Sequence, residues 1–107
     1  MVKVICLVKA KPGQTAEEFK RRWLDDHSKF AASWKNIKSY KISLPNAEVH
    51  EKQGGGAIFD GIGELYWDTY EDMVADFASK RGEEGTADAY EFMDVALNIY
   101  CDEYIIK

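Results

Sequence analysis

The residues with the clearest chemical potential in this chain are its only two histidines, His27 and His50, and one tyrosine, Tyr40. An imidazole with an unperturbed pKa near ~6.5 can take up and release a proton at physiological pH. A phenol can donate a hydrogen bond to an oxygen on which negative charge develops. If the three side chains share one apolar pocket, they can move protons on a small molecule without a cofactor.

His27 lies in a pattern that predicts an amphipathic helix over residues 15–35. Thr15 followed by Glu18 is a capping-box sequence, which marks the start of the helix. Aromatic or imidazole side chains recur along one face: Phe19, Trp23, His27, Phe30 and Trp34. His27 therefore occupies a position where an apolar residue is usual, and it is either a hydrogen-bonded core histidine or a ligand contact.

The remaining segments predict one α+β domain over residues 1–107 with the order β-α-β-β-α-β. A second helix is expected to begin at Asp68 and to end at Gly82 and Gly85, and a third segment is expected to begin at Thr86. Strand-like runs cover residues 2–9, 37–44, 58–67 and 98–106. The second run is interrupted by Pro45 and is expected to resume through His50. This order is the split βαβ, ferredoxin-like pattern, with a four-stranded antiparallel sheet and both helical regions on one face.

The third strand-like run places two glycines on one face, at alternate positions. That face carries Phe59, Gly61, Gly63, Leu65 and Trp67. Glycine weakens a strand, so two together indicate either close packing of helix aromatics or space for a ligand. In the second case these five residues and Trp23 are expected to form the walls of a substrate pocket.

The opposite face of that strand carries Asp60 and Glu64. These carboxylates are expected at a subunit interface, and no metal site is predicted because a shared site with the histidines would have to reach through the sheet. This sheet face is rich in apolar residues and has no cover within the chain. A homodimer formed through it is therefore expected.

Composition narrows the class of partner. The chain has 14 basic and 19 acidic residues and a net charge of -5, which disfavours nucleic acid and anionic membranes. It shows no apolar run of the length of a signal peptide or membrane span, so a cytoplasmic location is expected. In that compartment Cys6 and Cys101 are expected to be buried free thiols.

Several segments together resemble the EthD-type family of the dimeric α+β barrel superfamily. They are residues 4–9, Lys11-Pro12-Gly13, Glu18-Phe19 with Trp23 and His27, and the run from Phe59 to Asp68. The resemblance covers nearly the whole chain. It implies a ferredoxin-like subunit whose sheet packs on that of its twin, and a pocket between sheet and helices in each subunit.

Relatives of that family include accessory proteins of oxidative degradation clusters, muconolactone methylisomerases, cofactor-free monooxygenases, polyketide cyclases and haem-binding proteins. The chain is similar to the methylisomerases in having a helix histidine, a second-strand tyrosine and a histidine before the third strand. His27, Tyr40 and His50 stand at those places. The methylisomerases have a cysteine on the third strand, where this chain has Leu65.

Three hypotheses of function follow. The first is a cofactor-independent enzyme, an isomerase, dehydratase or cyclase acting on a small cyclic or aromatic compound, in which His27 and His50 exchange protons and Tyr40 holds an oxygen. The second is an accessory protein that binds an aromatic ligand without chemistry. The third is a cofactor-free or haem-using monooxygenase.

Overall fold

The computed structural model describes residues 1–107, which form four strands and five α-helical segments. The strands are β1 (Val2–Ala10), β2 (Ser39–Ser43), β3 (Gly61–Trp67) and β4 (Met93–Cys101). The helices are α1 (Ala16–Arg21), α2 (Ser28–Ala32), α3 (Ala47–Lys52), α4 (Tyr70–Ala78) and α5 (Lys80–Phe92), with a π-helical segment at Arg22–His27 between α1 and α2. None of these helices combines the length and apolar character needed to cross a bilayer.

The four strands form one antiparallel sheet in the order β2-β3-β1-β4. This is the ferredoxin-like arrangement, and it confirms the predicted fold class. Cys6 in β1 pairs with Gly63 in β3 on one side and with Asn98 in β4 on the other. Val4 and Val8, at alternate positions in β1, are fully buried beneath the helices, so Cys6 between them faces the helices as well.

The first helix begins as the sequence predicts. The backbone N–H of Glu18 donates to Thr15 Oγ1 at 3.1 Å, and the Thr15 N–H donates to the Glu18 carboxylate at 3.0 Å. The helix is not uniformly α, however, because the Ser28 N–H bonds to the carbonyl of Trp23, five residues back. A pattern of apolar residues cannot reveal this single wide turn, which contains His27. Such π-helical turns are frequent at functional sites.

The second helical region differs from the sequence prediction. Its first helix is capped by Thr69, whose Oγ1 accepts from the Asp72 N–H at 3.1 Å, rather than by Asp68. Gly82 and Gly85 do not end a helix but lie inside α5, which begins after Ser79 and not at Thr86. A Cβ at Gly82 would overlap the last carbonyl groups of α4. Gly82 therefore permits α4 and α5 to approach closely, whereas the sequence predicts that it ends a helix.

The segment after β2 also differs from prediction. Val49 and His50 belong to α3 and not to a resumed strand, because the Asn46 side chain accepts from the Val49 N–H at 3.1 Å and caps a helix. Strand β3 begins at Gly61 rather than at residue 58. Strand β4 begins at Met93, five residues before the predicted start at 98, and ends at Cys101.

The core between sheet and helices divides into two clusters of buried side chains. One contains Val4, Ala31, Leu65, Trp67 and Met73, with Trp34, Tyr40 and Phe77 packed against it. The other contains Val8, Phe19, Trp23, Phe92 and Met93, with Cys6 and Ile42 packed against it. The two clusters meet the sheet at different positions along β1, and the region between them is incompletely filled.

The opposite face of the sheet is apolar and uncovered within the chain. Leu97 and Ile99 in β4 are 55% and 48% exposed. Lys3 lies near this face with its ammonium 3.6 Å from Glu64 and 2.7 Å from Glu103. Exposed aliphatic side chains with charged groups beside them are typical of a protein interface.

Candidate functional site

A cavity of about 150 Å³ separates the two core clusters. Its floor is formed by small residues at the middle of the sheet, Cys6 and Gly63, and its roof includes His27 and Trp34. The sequence predicts Trp34 inside a helix that extends to residue 35, but α2 ends at Ala32 and Trp34 follows it. Most of the lining is apolar. An engineered cavity of about 150 Å³ in another protein binds benzene, so this space suits one small ring.

His27 reaches the cavity from the end of the π-helical segment. Its Nδ1 lies 2.8 Å from Oδ2 of Asp88 in α5, and its ring packs edge-on against Phe92 with the ring centres 5.2 Å apart. Burial lowers the pKa of His27 below its usual value of 6.5, against the opposing effect of the Asp88 carboxylate. The imidazole is therefore neutral at pH 7.

Asp88 is held as a carboxylate by Arg22. Its two oxygens accept from the two terminal nitrogens of that guanidinium at 2.6 and 3.0 Å, and this pairing lowers the pKa of Asp88. An ionised carboxylate can only accept, so the proton between it and His27 resides on Nδ1. The Nε2 lone pair makes no hydrogen bond within the chain. His27 is thereby arranged as a base on the cavity wall.

Sequence reasoning missed Asp88 because no local pattern pairs it with His27, which lies 61 residues earlier in the chain. The buried residues of α5 are Gly82, Gly85 and Phe92. Asp88 lies three residues after Gly85, so glycines at helical spacing were the signal that could have identified this face.

Tyr40 lies on the cavity wall as a hydrogen-bond donor. Its hydroxyl oxygen accepts from the indole N–H of Trp23 at 3.0 Å. Burial raises the pKa of Tyr40, so the phenol is protonated at neutral pH. The hydroxyl proton has no acceptor within the chain, and Tyr40 can therefore donate it to an oxygen in the cavity.

The two strand glycines face the helices, as the sequence predicts, but they serve different purposes. A Cβ at Gly61 would overlap Cζ3 of Trp23, so Gly61 allows close packing. A Cβ at Gly63 would lie 3.5 Å from Cζ2 of the same ring, an ordinary contact, and Gly63 lines the cavity. The sequence left packing and cavity as alternatives, and each applies to one glycine.

Cys6 and Leu65 lie beside Gly63 on the cavity surface. Burial raises the pKa of the Cys6 thiol to about 11. A protonated thiol is a weak nucleophile and adds little polarity to the floor. The sequence predicts Cys6 and Cys101 as buried free thiols; both are free but only partly buried, and Cys6 faces the cavity.

The structure does not bring the two histidines together. His50 lies on α3 and lines a separate open groove with Phe59 and Asp60, whereas His27 lines the cavity. Their predicted meeting depended on His50 continuing the second strand, and α3 carries it away instead. No group of three or more His, Cys, Asp or Glu side chains is placed to hold a metal ion.

Trp67 and Phe59 do not line the cavity either. Trp67 is fully buried in one core cluster, where its indole N–H donates to the Asp76 carboxylate at 2.7 Å. Phe59 lies under the ammonium of Lys9, 5.5 Å from the ring centre, outside the cavity. Of the walls predicted from sequence, Trp23, Gly63 and Leu65 line the cavity, and Phe59, Gly61 and Trp67 do not.

Comparison with known proteins identifies the family. Residues 11–96 match the model of the EthD domain, a span that includes His27, Tyr40, Gly63 and Asp88. The chain belongs to the EthD family. No curated protein matches the EthD chain at a significant level.

Solved structures with the same fold include another EthD family protein, from Bacillus halodurans. It is 19% identical, superposes with a TM-score of 0.79, and covers 97% of this chain and 99% of its own. A dimeric ferredoxin-like protein of unknown function from Thermobifida fusca is 12% identical with a TM-score of 0.74, covering 95% and 90%. SnoaB, a cofactor-independent oxygenase from Streptomyces nogalater, is 7% identical with a TM-score of 0.71, covering 97% and 93%. At these identities the likeness shows the shared fold alone.

Proposed function

We propose that this EthD protein is a cofactor-independent acid–base enzyme acting on a small single-ring compound, with His27 as the base. The observation that carries this proposal is the arrangement of His27. Its Nδ1 is held 2.8 Å from the Asp88 carboxylate while the same ring lines a cavity of about 150 Å³. A structural histidine needs the first contact but has no need of the cavity.

The chemistry that fits this arrangement starts with removal of a proton beside a carbonyl group. His27 Nε2 takes the proton from carbon, and the electron pair of the C–H bond moves onto the carbonyl oxygen as an enolate. Tyr40 donates its hydroxyl hydrogen to that oxygen. Asp88 stabilises the imidazolium that forms, as the aspartate of a Ser-His-Asp triad stabilises its histidine.

The second half of the reaction returns the proton. Delivery from the His27 imidazolium to a different carbon gives an isomer, and delivery to a departing hydroxyl group gives water and a dehydrated product. Attack of the enolate carbon on a second carbonyl of the same molecule, with that oxygen protonated, gives a ring. All three outcomes use the same base and leave the enzyme unchanged.

His50 has no part in this proposal, although the sequence pairs it with His27. It lines the groove beside α3 and the glycine-rich loop, together with Glu17 of the first helix, and does not reach the cavity. The proton returned to the product therefore comes from the same imidazole that removed it.

A second candidate is cofactor-independent oxygenation. SnoaB, which shares the fold, is a cofactor-independent oxygenase. His27 could serve as the base in this reaction too, because removal of a proton makes the ring of the substrate electron-rich enough to react with oxygen. The haem-using variant fits less well, since about 150 Å³ is half of the ~300 Å³ at which pockets for drug-sized ligands begin.

The exposed sheet face supports a homodimer. This face carries the exposed side chains of Leu97 and Ile99, and Lys3 lies beside them with its ammonium 3.6 Å from Glu64. The solved structure from Thermobifida fusca with the same fold is dimeric. Pairing through this face leaves the cavity, which lies on the helix side, within each subunit.

The test is hydrogen–deuterium exchange at carbon, measured by mass spectrometry with a panel of single-ring ketones, enol lactones and phenols in D2O. The native protein is expected to accelerate exchange or conversion of at least one compound, and His27→Ala to abolish it. His50→Ala is the matched control and is expected to keep the activity. Saturable binding without exchange or product would instead support the non-catalytic accessory protein.

A further inference from the structure

The three tryptophans of this chain differ in what their indole N–H groups contact. Trp23 donates to the Tyr40 hydroxyl at 3.0 Å, and Trp67 donates to the Asp76 carboxylate at 2.7 Å. The N–H of Trp34 is buried and has no hydrogen-bond partner, and it is the one buried side-chain polar atom of the chain in that condition.

The Trp34 ring is fixed by packing. Its centre lies 5.0 Å from that of Phe77 and 6.2 Å from that of Trp67, with the two indole rings nearly stacked at 24°. The same residue lines the cavity. A ring held on these sides cannot turn its N–H toward solvent without disrupting the core cluster.

Leaving a buried donor without an acceptor is costly, and native structures almost always provide a partner. No protein group provides one for Trp34. A Cβ placed at Gly85, another residue of the cavity lining, would lie 3.6 Å from Cζ2 of Trp34, a ring carbon two bonds from Nε1. The edge of the ring that carries the N–H therefore lies beside the cavity, and an occupant of that space can supply the acceptor.

We infer that Trp34 is a ligand-binding residue whose indole N–H donates to an oxygen acceptor on the ring compound in the cavity. This inference rests on the proposed function, since it assumes that the cavity is the ligand site. It narrows the ligand to a single-ring compound with a carbonyl, enolate or phenolate oxygen, and it distinguishes such compounds from hydrocarbons of equal size.

The donor and the base come from different sides of the cavity. Trp34 packs with Trp67 and Phe77 in one core cluster, whereas His27 packs on Phe92 in the other. A ligand oxygen on Trp34 therefore fixes which edge of the ring is presented to His27. Trp34 orients the ligand and takes no part in proton transfer.

The experiment compares cyclohexanone with methylenecyclohexane, which have nearly the same shape and differ in carrying a carbonyl oxygen or a CH2 group. The readout is the indole N–H signals of the ¹⁵N-labelled protein, with the Trp34 signal assigned from Trp34→Phe. Cyclohexanone is expected to shift the Trp34 proton downfield, and methylenecyclohexane is expected to leave it nearly unchanged. Dissociation constants come from the same titrations.

Loss of the Trp34 donor is expected to reduce the preference for the ketone. In Trp34→Phe the ratio of the two dissociation constants should fall about three- to tenfold, the size of one neutral hydrogen bond. Tyr40→Phe is the matched control, because it removes the other donor on the wall and should leave the downfield shift of the Trp34 proton in place.

Two results would overturn the inference, and they can be told apart. If both compounds bind and the ketone preference is the same in Trp34→Phe, the cavity binds ligands but Trp34 does not orient them, as expected when only a water molecule meets its N–H. If neither compound binds the native protein, the ligand cavity itself is refuted, and the proposed function fails with it.

Discussion

Nδ1 of His27 and Oδ2 of Asp88 lie 2.8 Å apart, joining a residue of the π-helical turn to one of α5, 61 positions later. The contact fixes which nitrogen of the imidazole carries its proton. It also links the π-helical turn to α5 beside the cavity. The proposed chemistry depends on this pair more than on any other contact in the molecule.

Replacing the carboxylate should change the pKa of His27 in a direction that the structure determines. Asp88 raises the pKa of His27 and Arg22 lowers it, so Asp88→Asn should lower the pKa further and Arg22→Gln should raise it. Titration of the imidazole proton signals by NMR measures both. A His50→Gln background leaves one histidine in the spectrum. Shifts of the same sign in both variants would contradict the arrangement.

The lowered pKa of His27 also sets the pH dependence. Because the folded state binds this proton less readily than the unfolded chain, His27 contributes stability above pH ~6.5 that is lost as pH falls through the lowered pKa. Turnover that needs the neutral base should lose activity over the same acidic range. The acidic limb of the kcat/KM profile should move to lower pH in Asp88→Asn. An unchanged limb would mean that a different group is the base.

The two strand glycines offer a matched pair of substitutions. Gly63→Ala should be tolerated, because its Cβ makes an ordinary contact at 3.5 Å, but it should reduce ligand binding by filling the cavity floor. Gly61→Ala should lower the free energy of unfolding by about 1–3 kcal/mol, because its Cβ overlaps the Trp23 ring. Urea unfolding and cyclohexanone binding distinguish the two effects. Equal destabilisation by both variants would show that no free space lies above Gly63.

The Cys6 thiol should be slow to alkylate. With its pKa raised to about 11, about one thiol in a thousand is ionised at pH 8, compared with about a quarter of thiols of pKa ~8.5. Cys101→Ser leaves Cys6 as the single cysteine, and its reaction with iodoacetamide can be followed by mass. The rate should rise steeply toward pH 11, and unfolding in urea should remove the protection. Rapid modification at pH 8 would contradict a buried thiol.

The proposed dimer can be tested with two substitutions of similar exposure. Leu97 on the sheet face is 55% exposed and Val49 on α3 is 51% exposed. Leu97→Lys should convert a dimer into a monomer by placing a charge in the apolar interface, whereas Val49→Lys should not. Sedimentation velocity measures the mass of each. A native monomer, or a Leu97→Lys variant that remains a dimer, would exclude this interface.

Local patterns were sufficient for the parts of the fold that depend on near neighbours. The capping box at Thr15 and Glu18, the buried aromatic residues Phe19 and Trp23 and the helix-facing glycines of β3 are present as predicted, although the helix ends at Ala32, before Trp34. Alternation along a strand and recurrence along a helix depend on backbone geometry alone. The order of the elements then restricts the topology to a few possibilities, and the ferredoxin-like arrangement follows.

The sequence alone thus determined the ferredoxin-like order of elements and placed His27, Tyr40 and Gly63 on inward faces. Only the tertiary structure decided that Asp88 meets His27, that His50 lies elsewhere and that Trp34 has a buried N–H without a protein partner. The physical reason is that these relationships join residues far apart in the chain. They depend on the start of α5, the wide turn at Arg22–His27 and the cap at Asn46, and small shifts there rotate a side chain to another face.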